Sequence, residues 1–261
     1  MPQRHSRTVI NITDCHIGGW PPHHGGDPRD MLRAVLNDIQ HQESPDLIIA
    51  SGDLSDTGMR EDYRWLKEQL DRFSCPVLAI PGNHDDSEEI DAVFNAGRGI
   101  LNAGCSFNNW RIIPLDTCLP GAESGLLSTA SLDALDQQLG QYPDKPTLVT
   151  LHHPPVAIGT AWLDAMGLEN ADELMAVLAN HPQVKLLLCG HVHQAVDMYY
   201  KDIRILISPA TCRQFLPGSD AFAIDPVPPG YRRIILDESG MIDTVVKRLD
   251  EQTWLNCRRV S

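Results

Sequence analysis

The chain has 261 residues, 42% of them hydrophobic and 21% charged, with a formal net charge of −14. That balance fits a folded globular protein, compatible with a single α/β domain over residues 1–261, and excludes a chain too polar to bury a core. Strong acidity without clustered Lys or Arg argues against a nucleic-acid surface. No run approaches the roughly 18 uninterrupted apolar residues of a membrane span. The short polar N-terminus leaves no room for a leader's apolar region, so a cytoplasmic protein is expected. The seven cysteines are scattered without a C-x-x-C pair and read as reduced thiols.

In chain order, Thr8–Thr13 reads as a strand, and Asp27 caps a helix that begins at Pro28 and runs to Gln42. A strand follows over Leu47–Ala50, ending at Gly52, then a helix over Arg60–Phe73, a strand over Val77–Ile80 and a short helix over Ser87–Phe94. The second half repeats the rhythm. It has strands at Trp110–Leu115, Thr147–Leu151 and Val184–Cys189, a helix from a Ser128 cap to Tyr142, and a helix over Ala171–Asn180. The end is β-rich, with hairpins predicted from Met198–Tyr200 with Arg204–Ile207, and from Tyr231–Leu236 with Met241–Leu249. No internal repeat or linker interrupts the pattern. The loop from Pro154 to Glu169 is long enough to be functional.

Five polar clusters each follow an apolar strand: Asp14-Cys15-His16, Gly52-Asp53, Gly82-Asn83-His84-Asp85, His152-His153 and Gly190-His191-Val192-His193. Ligands of open α/β sheets gather beyond the carboxyl ends of strands, so these side chains can converge on one point. Residues i and i+2 of an extended backbone share a face, which pairs Asp14 with His16 and His191 with His193. Carboxylate, imidazole and amide donors without thiolate suit borderline divalent ions in an open site. Seven such donors are too many for one ion, and two ions sharing a carboxylate match a two-metal phosphoester hydrolase. Each cluster alone reads more simply as a polar turn; the case rests on five in this order. His23 and His24 lie in a Pro- and Gly-rich stretch and read as exposed loop, His5, His41 and His181 as solvent-facing, and Cys15 as packing on the opposite face.

The set D-x-H, G-D, G-N-H-D, H-H and G-H-x-H resembles the signature of the calcineurin-like metallophosphoesterases over about Thr8 to Arg248. The resemblance implies a four-layer α-β-β-α sandwich in which two sheets pack between helices. It is nearest to the bacterial class III 3′,5′-cyclic-AMP phosphodiesterases, on Trp162-Leu163-Asp164, Leu168-Glu169-Asn170-Ala171, Leu187-Leu188-Cys189-Gly190-His191 and Ser208-Pro209-Ala210-Thr211-Cys212 with Gln214-Phe215. It implies that Asp14, His16, Asp53 and His193 hold one metal, and that Asp53, Asn83, His152 and His191 hold the other. Iron or manganese is expected and zinc is an alternative. A hydroxide between the metals is the expected nucleophile, and His84 contacts the phosphate and assists the leaving group. Substrate contacts are expected from His16, Asp53, Asn83, His84, His193, Trp162 and Asn170. Segment 154–170 can form a lid that touches a nucleoside, although Trp162 and Leu163 could equally pack it onto the core. The small-molecule substrate expected is cyclic AMP. The alternatives are 2′,3′-cyclic nucleotides, glycerophosphodiesters, phosphomonoesters, or a scaffold without turnover.

Overall fold

The computed structural model describes residues 6–19, 26–95 and 104–259. Period-two alternation sets its layers, because successive side chains of a strand point to opposite faces. In β1 (Arg7–Ile12), Val9 faces one core while Ile10 and Ile12 face another; in β2 (Leu47–Ser51), Leu47 and Ile49 oppose Ile48 and Ala50. These two strands and β3 (Val77–Ile80) run parallel. The second sheet contains β4 (Cys105–Phe107), β5 (Trp110–Pro114), β6 (Thr147–Thr150), β7 (Val184–Cys189), β8 (Val196–Tyr200) and β9 (Ile203–Ile207), in the order β4-β5-β6-β7-β9-β8. Its four central strands are parallel and both edges antiparallel. A two-residue ribbon, β10 (Gln214–Phe215) with β11 (Ile224–Asp225), precedes β12 (Gly230–Leu236) and β13 (Ile242–Arg248). The last pair returns to the first sheet and lays β12 antiparallel beside β1.

Helix α1 (Pro28–Gln42) buries Met31, Leu32, Val35, Leu36 and Ile39, the i, i+3, i+4 stripe of an amphipathic helix. Each fully buried side chain of this kind contributes about 1.5–3 kcal/mol. With α2 (Arg60–Leu70), α1 covers the outer face of the first sheet. After α3 (Ser87–Ile90), α4 (Thr129–Gln141), α5 (Ala161–Asp164) and α6 (Ala171–Ala179) pack on the outer face of the second, and α7 (Glu251–Arg259) ends the described chain. The facing sides of the two sheets share a third core, in which Val9, Ile49 and Leu78 meet Ile112, Leu148 and Leu188. The order is therefore helix, sheet, sheet, helix, as expected from the resemblance.

Asp27 accepts from Arg29 N and Ser128 from Ser131 N, so both predicted caps form. Strand β4, the ribbon β10–β11 and the terminal helix α7 were not expected, and three predicted elements differ. Helix α2 stops at Leu70 rather than Phe73, α3 gives way to a π-helical turn at Asp91–Asn95, and the loop from 154 to 169 carries the one-turn α5. That turn is held by Asp164, which accepts from Ile158 N (2.7 Å) and Gly159 N (3.0 Å). Both hairpins form, with β8, β9 and β12 slightly longer than predicted and β13 shorter by a residue at each end, and all seven cysteines are free. Among the described residues no helix is long and apolar enough to cross a membrane.

Candidate metal centre

The five clusters follow β1, β2, β3, β6 and β7, whose carboxyl ends point to one rim of the two sheets. Their backbone is not extended. Asp14, His16, Asp53, His191 and His193 all have φ between 45° and 71°, which corrects the argument from alternating faces. A non-glycine residue in this left-handed region costs about 1–2 kcal/mol, so the rim stores strain that its surroundings must hold. Main-chain bonds across strands do so: Asp14 N to Gly52 O (3.0 Å), His16 N to Asp53 O (2.9 Å) and Gly190 N to His152 O (3.0 Å).

Four of the histidines, His16, His84, His152 and His193, are aimed by a bond at the other ring nitrogen. Nδ1 donates to Asp56 Oδ1 from His16 (2.8 Å), to Ser51 O from His152 (2.8 Å), to Arg213 O from His193 (2.7 Å) and to Asp56 O from His84 (3.2 Å). All four therefore offer Nε2 to the rim, the arrangement by which outer partners orient metal ligands. Asp53 joins the two halves. Its Oδ2 lies 3.6 Å from His16 Nε2 and 3.3 Å from His152 Nε2, while Oδ1 accepts from His84 N (3.0 Å). Asp14 Oδ1 lies 3.4 Å from His193 Nε2, and both its oxygens accept from His191 N.

The donors fit cations. Donor atoms of Asp14, His16 and His193 lie within 4.8 Å of one another, and so do those of Asp14, Asp53 and His152. His16 Nε2 and His193 Nε2 stand 3.1 Å apart. With both ring protons on Nδ1, two lone pairs meet there, which a cation between them would relieve. Asn83 Oδ1, His152 Nε2 and both ring nitrogens of His191 are buried without a hydrogen-bond partner, although burying an unsatisfied polar atom is costly. Burial disfavours the Asp53 carboxylate, but His152 and His16 outweigh it and hold its pKa well below the usual range. Burial and then His152 push His191 down to about 3, leaving the neutral imidazole that ligates. His153 belongs to a candidate group with His152 and His191, yet its nitrogens are taken by Thr117 Oγ1 (2.7 Å) and Glu123 O (3.2 Å). Of the adjacent pair, His152 is the available ligand.

A cleft of about 510 Å³, counting its open mouth, lies over these donors. One wall is Asn83, His84 and Glu123; the other is apolar, with Trp162, Leu163, Met166, Phe215 and Phe222. Phe215 stacks on His193 at 4.0 Å, and the Trp162 ring meets Phe215 at 5.2 Å and Phe222 at 5.7 Å. Trp162 both packs against the outer core of the second sheet and lines the cleft. Asn170 departs from expectation. Its amide is used on Leu127, accepting from N (3.0 Å) and donating to O (2.8 Å), and it does not line the cleft. His181 is likewise not solvent-facing but bound to Asp136 at 2.7 Å, whereas His41 is exposed and Cys15 fully buried. His5, His23 and His24 lie outside the described residues.

Sequence reasoning missed Asp56, Asp85, Glu123, Phe215 and Phe222 as site residues. Asp85 accepts from Leu54 N, Ser55 N, Gly82 N and Tyr63 Oη, and so fixes the loop that carries Asn83 and His84. Its place beside Gly82-Asn83-His84 was the one available signal.

The family described as Calcineurin-like phosphoesterase matches residues 7–195. The chain is 34% identical to the 3′,5′-cyclic adenosine monophosphate phosphodiesterase CpdA of Pseudomonas aeruginosa, covering 95% of each chain. It is 37% identical to CpdA of Escherichia coli (strain K12), over 92% of this chain and 89% of that one. Among solved structures, a dimetal phosphatase from Danio rerio superposes with a TM-score of 0.67 at 15% identity, covering 94% of this chain and 99% of that one, and supports the fold alone. Sequence match, layer order and the converging donors agree: the chain belongs to the calcineurin-like phosphoesterases.

Proposed function

We propose that this chain is a metal-dependent phosphodiesterase that opens 3′,5′-cyclic AMP to 5′-AMP. The observation that carries the reading is a single cleft in which metal-type donors face an aromatic wall of Trp162, Phe215 and Phe222. A charged phosphoryl group and a flat nucleobase require those two surfaces side by side. The similarity to phosphodiesterases named for cyclic AMP, across nearly the whole chain, supports the same substrate.

Asp14, His16, Asp53 and His193 would hold one divalent ion, and Asp53, Asn83, His152 and His191 the other, with iron or manganese suited to this nitrogen and oxygen set and zinc also compatible. Bound there, two such ions supply an activated water and charge neutralisation on the phosphoryl oxygens. His16, Asp53, Asn83, His84 and His193 surround the phosphoryl position. His84 presents Nε2 to the cleft because Nδ1 is engaged by Asp56 O. Burial lowers its pKa, but Asp53 and Asp56 outweigh that and raise it, favouring the form that donates. As water oxygen bonds to phosphorus and the P–O3′ bond breaks, His84 delivers a hydrogen bond or proton to the departing O3′. Segment 154–170 acts as a lid through Trp162, while Asn170 positions the lid's base through Leu127.

The test is a steady-state comparison of cyclic AMP with bis(p-nitrophenyl) phosphate on metal-loaded protein. Trp162→Ala should raise KM for cyclic AMP about tenfold more than for the aryl diester, the size of one lost base-stacking contact. Equal effects on both substrates would remove Trp162 from the nucleoside site.

A further inference from the structure

The cleft has an uneven charge distribution. Among the described residues its lining contains no lysine or arginine, and its only carboxylate besides Asp53 is Glu123. Glu123 is exposed at the mouth of the cleft, and its carboxylate has partners there. Its Oε2 accepts from Asn83 Nδ2 at 2.9 Å and lies 3.8 Å from His84 Nε2. Its carbonyl accepts from His153 Nε2, and the neighbouring Gly125 is pinned on both sides, by Gly125 N to Gly167 O (3.1 Å) and Glu169 N to Gly125 O (2.8 Å). A Cβ at Gly125 would run into the His153 ring, so this loop is seated against the residue next to the ligand His152. The carboxylate is thereby held beside the edge of the phosphoryl position that His84 serves.

A phosphodiester carries one negative charge, whereas a monoester carries about −1.5 to −2 at neutral pH. A monoester spreads its charge over three terminal oxygens, one of which a diester uses for its other ester bond, so a monoester places more negative charge near any fixed carboxylate. We propose that Glu123 is a specificity-determining residue that rejects dianionic monoesters, so that the cleft accepts diesters and expels the monoester they become. The inference rests on the reading of this cleft as a phosphoester site but not on the identity of the nucleotide. Glu123 also accepts from Asn83 Nδ2, leaving Oδ1 buried and unpartnered as the donor available to a metal, a second effect that the test must separate from the first.

Glu123→Gln keeps an oxygen for Asn83 Nδ2 and removes the charge. The assay measures kcat/KM for p-nitrophenyl phosphate and bis(p-nitrophenyl) phosphate on the same preparation, together with metal content and inhibition by inorganic phosphate. We expect Glu123→Gln to bind two metals per chain and to raise the monoester-to-diester ratio of kcat/KM about fivefold. That modest size is what one solvent-screened charge contact supplies. Inhibition by inorganic phosphate should tighten by a similar factor. In the wild type the ratio should rise with ionic strength, and in the variant it should be flat, because salt screens only the charged contact. An unchanged ratio in a variant that retains both metals overturns the proposal, and so does a loss of metal, which would make Glu123 a positioning residue for Asn83 alone. Wild-type protein that cleaves neither aryl ester when metal-loaded would instead overturn the phosphoesterase reading.

Discussion

Gly52→Ala tests how tightly the backbone frames the metal centre. Gly52 has φ +95°, and an added Cβ would lie 2.6 Å from His152 Cγ and 2.9 Å from His152 Cβ. Backbone strain at positive φ costs about 1–2 kcal/mol. Pushing His152 off its rotamer costs about 1 kcal/mol, and losing its bond to Ser51 O about 1 kcal/mol more. The sum, about 3–4 kcal/mol, corresponds to a fall in Tm of about 6–16 °C for a chain of this size. His152 Nε2 would also lose its aim at Asp53, and a displaced ligand should weaken metal binding by at least the ~10–100-fold that follows loss of a ligand's outer partner. Thermal unfolding of metal-free and metal-loaded protein, with metal counted by mass spectrometry, reads both effects. Gly121→Ala is the control, since φ is +79° there and nothing lies within 4 Å of the added Cβ. It should show only the backbone cost, about 1–2 kcal/mol, with both metals retained. If Gly52→Ala matched Gly121→Ala in Tm and kept two metals, the steric argument would be wrong.

Asp53→Ala should abolish activity and reduce metal content at both positions, because the carboxylate lies between His16 and His152; a variant with two bound metals and near wild-type turnover would rule out the shared-ligand assignment. His84→Ala should keep its metals and lower kcat for cyclic AMP on the order of 10²-fold. The loss should shrink with a p-nitrophenolate leaving group, which needs little protonation, and an equal loss on both substrates would count against the acid role. Asp85→Asn puts an amide nitrogen, which cannot accept, in place of one of two oxygens that together accept from three backbone N–H groups, and should lower Tm by about 5–10 °C through the donors left unpaired. An unchanged melting curve would show that the loop is held by other contacts.

Much of this architecture could be read from residue patterns because it follows local rules. The short apolar runs at Val9-Ile10 and Leu47-Ile48-Ile49 are legible as buried strands, and the structure places their alternate side chains in two different cores. The metal-type residues were legible because each cluster ends a strand. The rest depends on contacts across long separations. Phe215 reaches His193 through the short ribbon β10–β11, and Glu123 reaches Asn83 across 40 residues; neither has a periodicity that announces its partner. Asn170 was misplaced for the same reason, since nothing in its neighbourhood reveals that Leu127 consumes its amide. The left-handed conformations of Asp14, His16, Asp53, His191 and His193 were also invisible, because sterics disfavour them and only the assembled rim compensates.

The central claim is tested most directly by incubating metal-loaded protein with millimolar 3′,5′-cyclic AMP and separating the products by chromatography, with and without a chelator. 5′-AMP should be the sole nucleotide product, formed one for each cyclic AMP consumed, stopped by the chelator and restored by manganese. Protein that cleaves bis(p-nitrophenyl) phosphate well but leaves cyclic AMP intact under these conditions would contradict it.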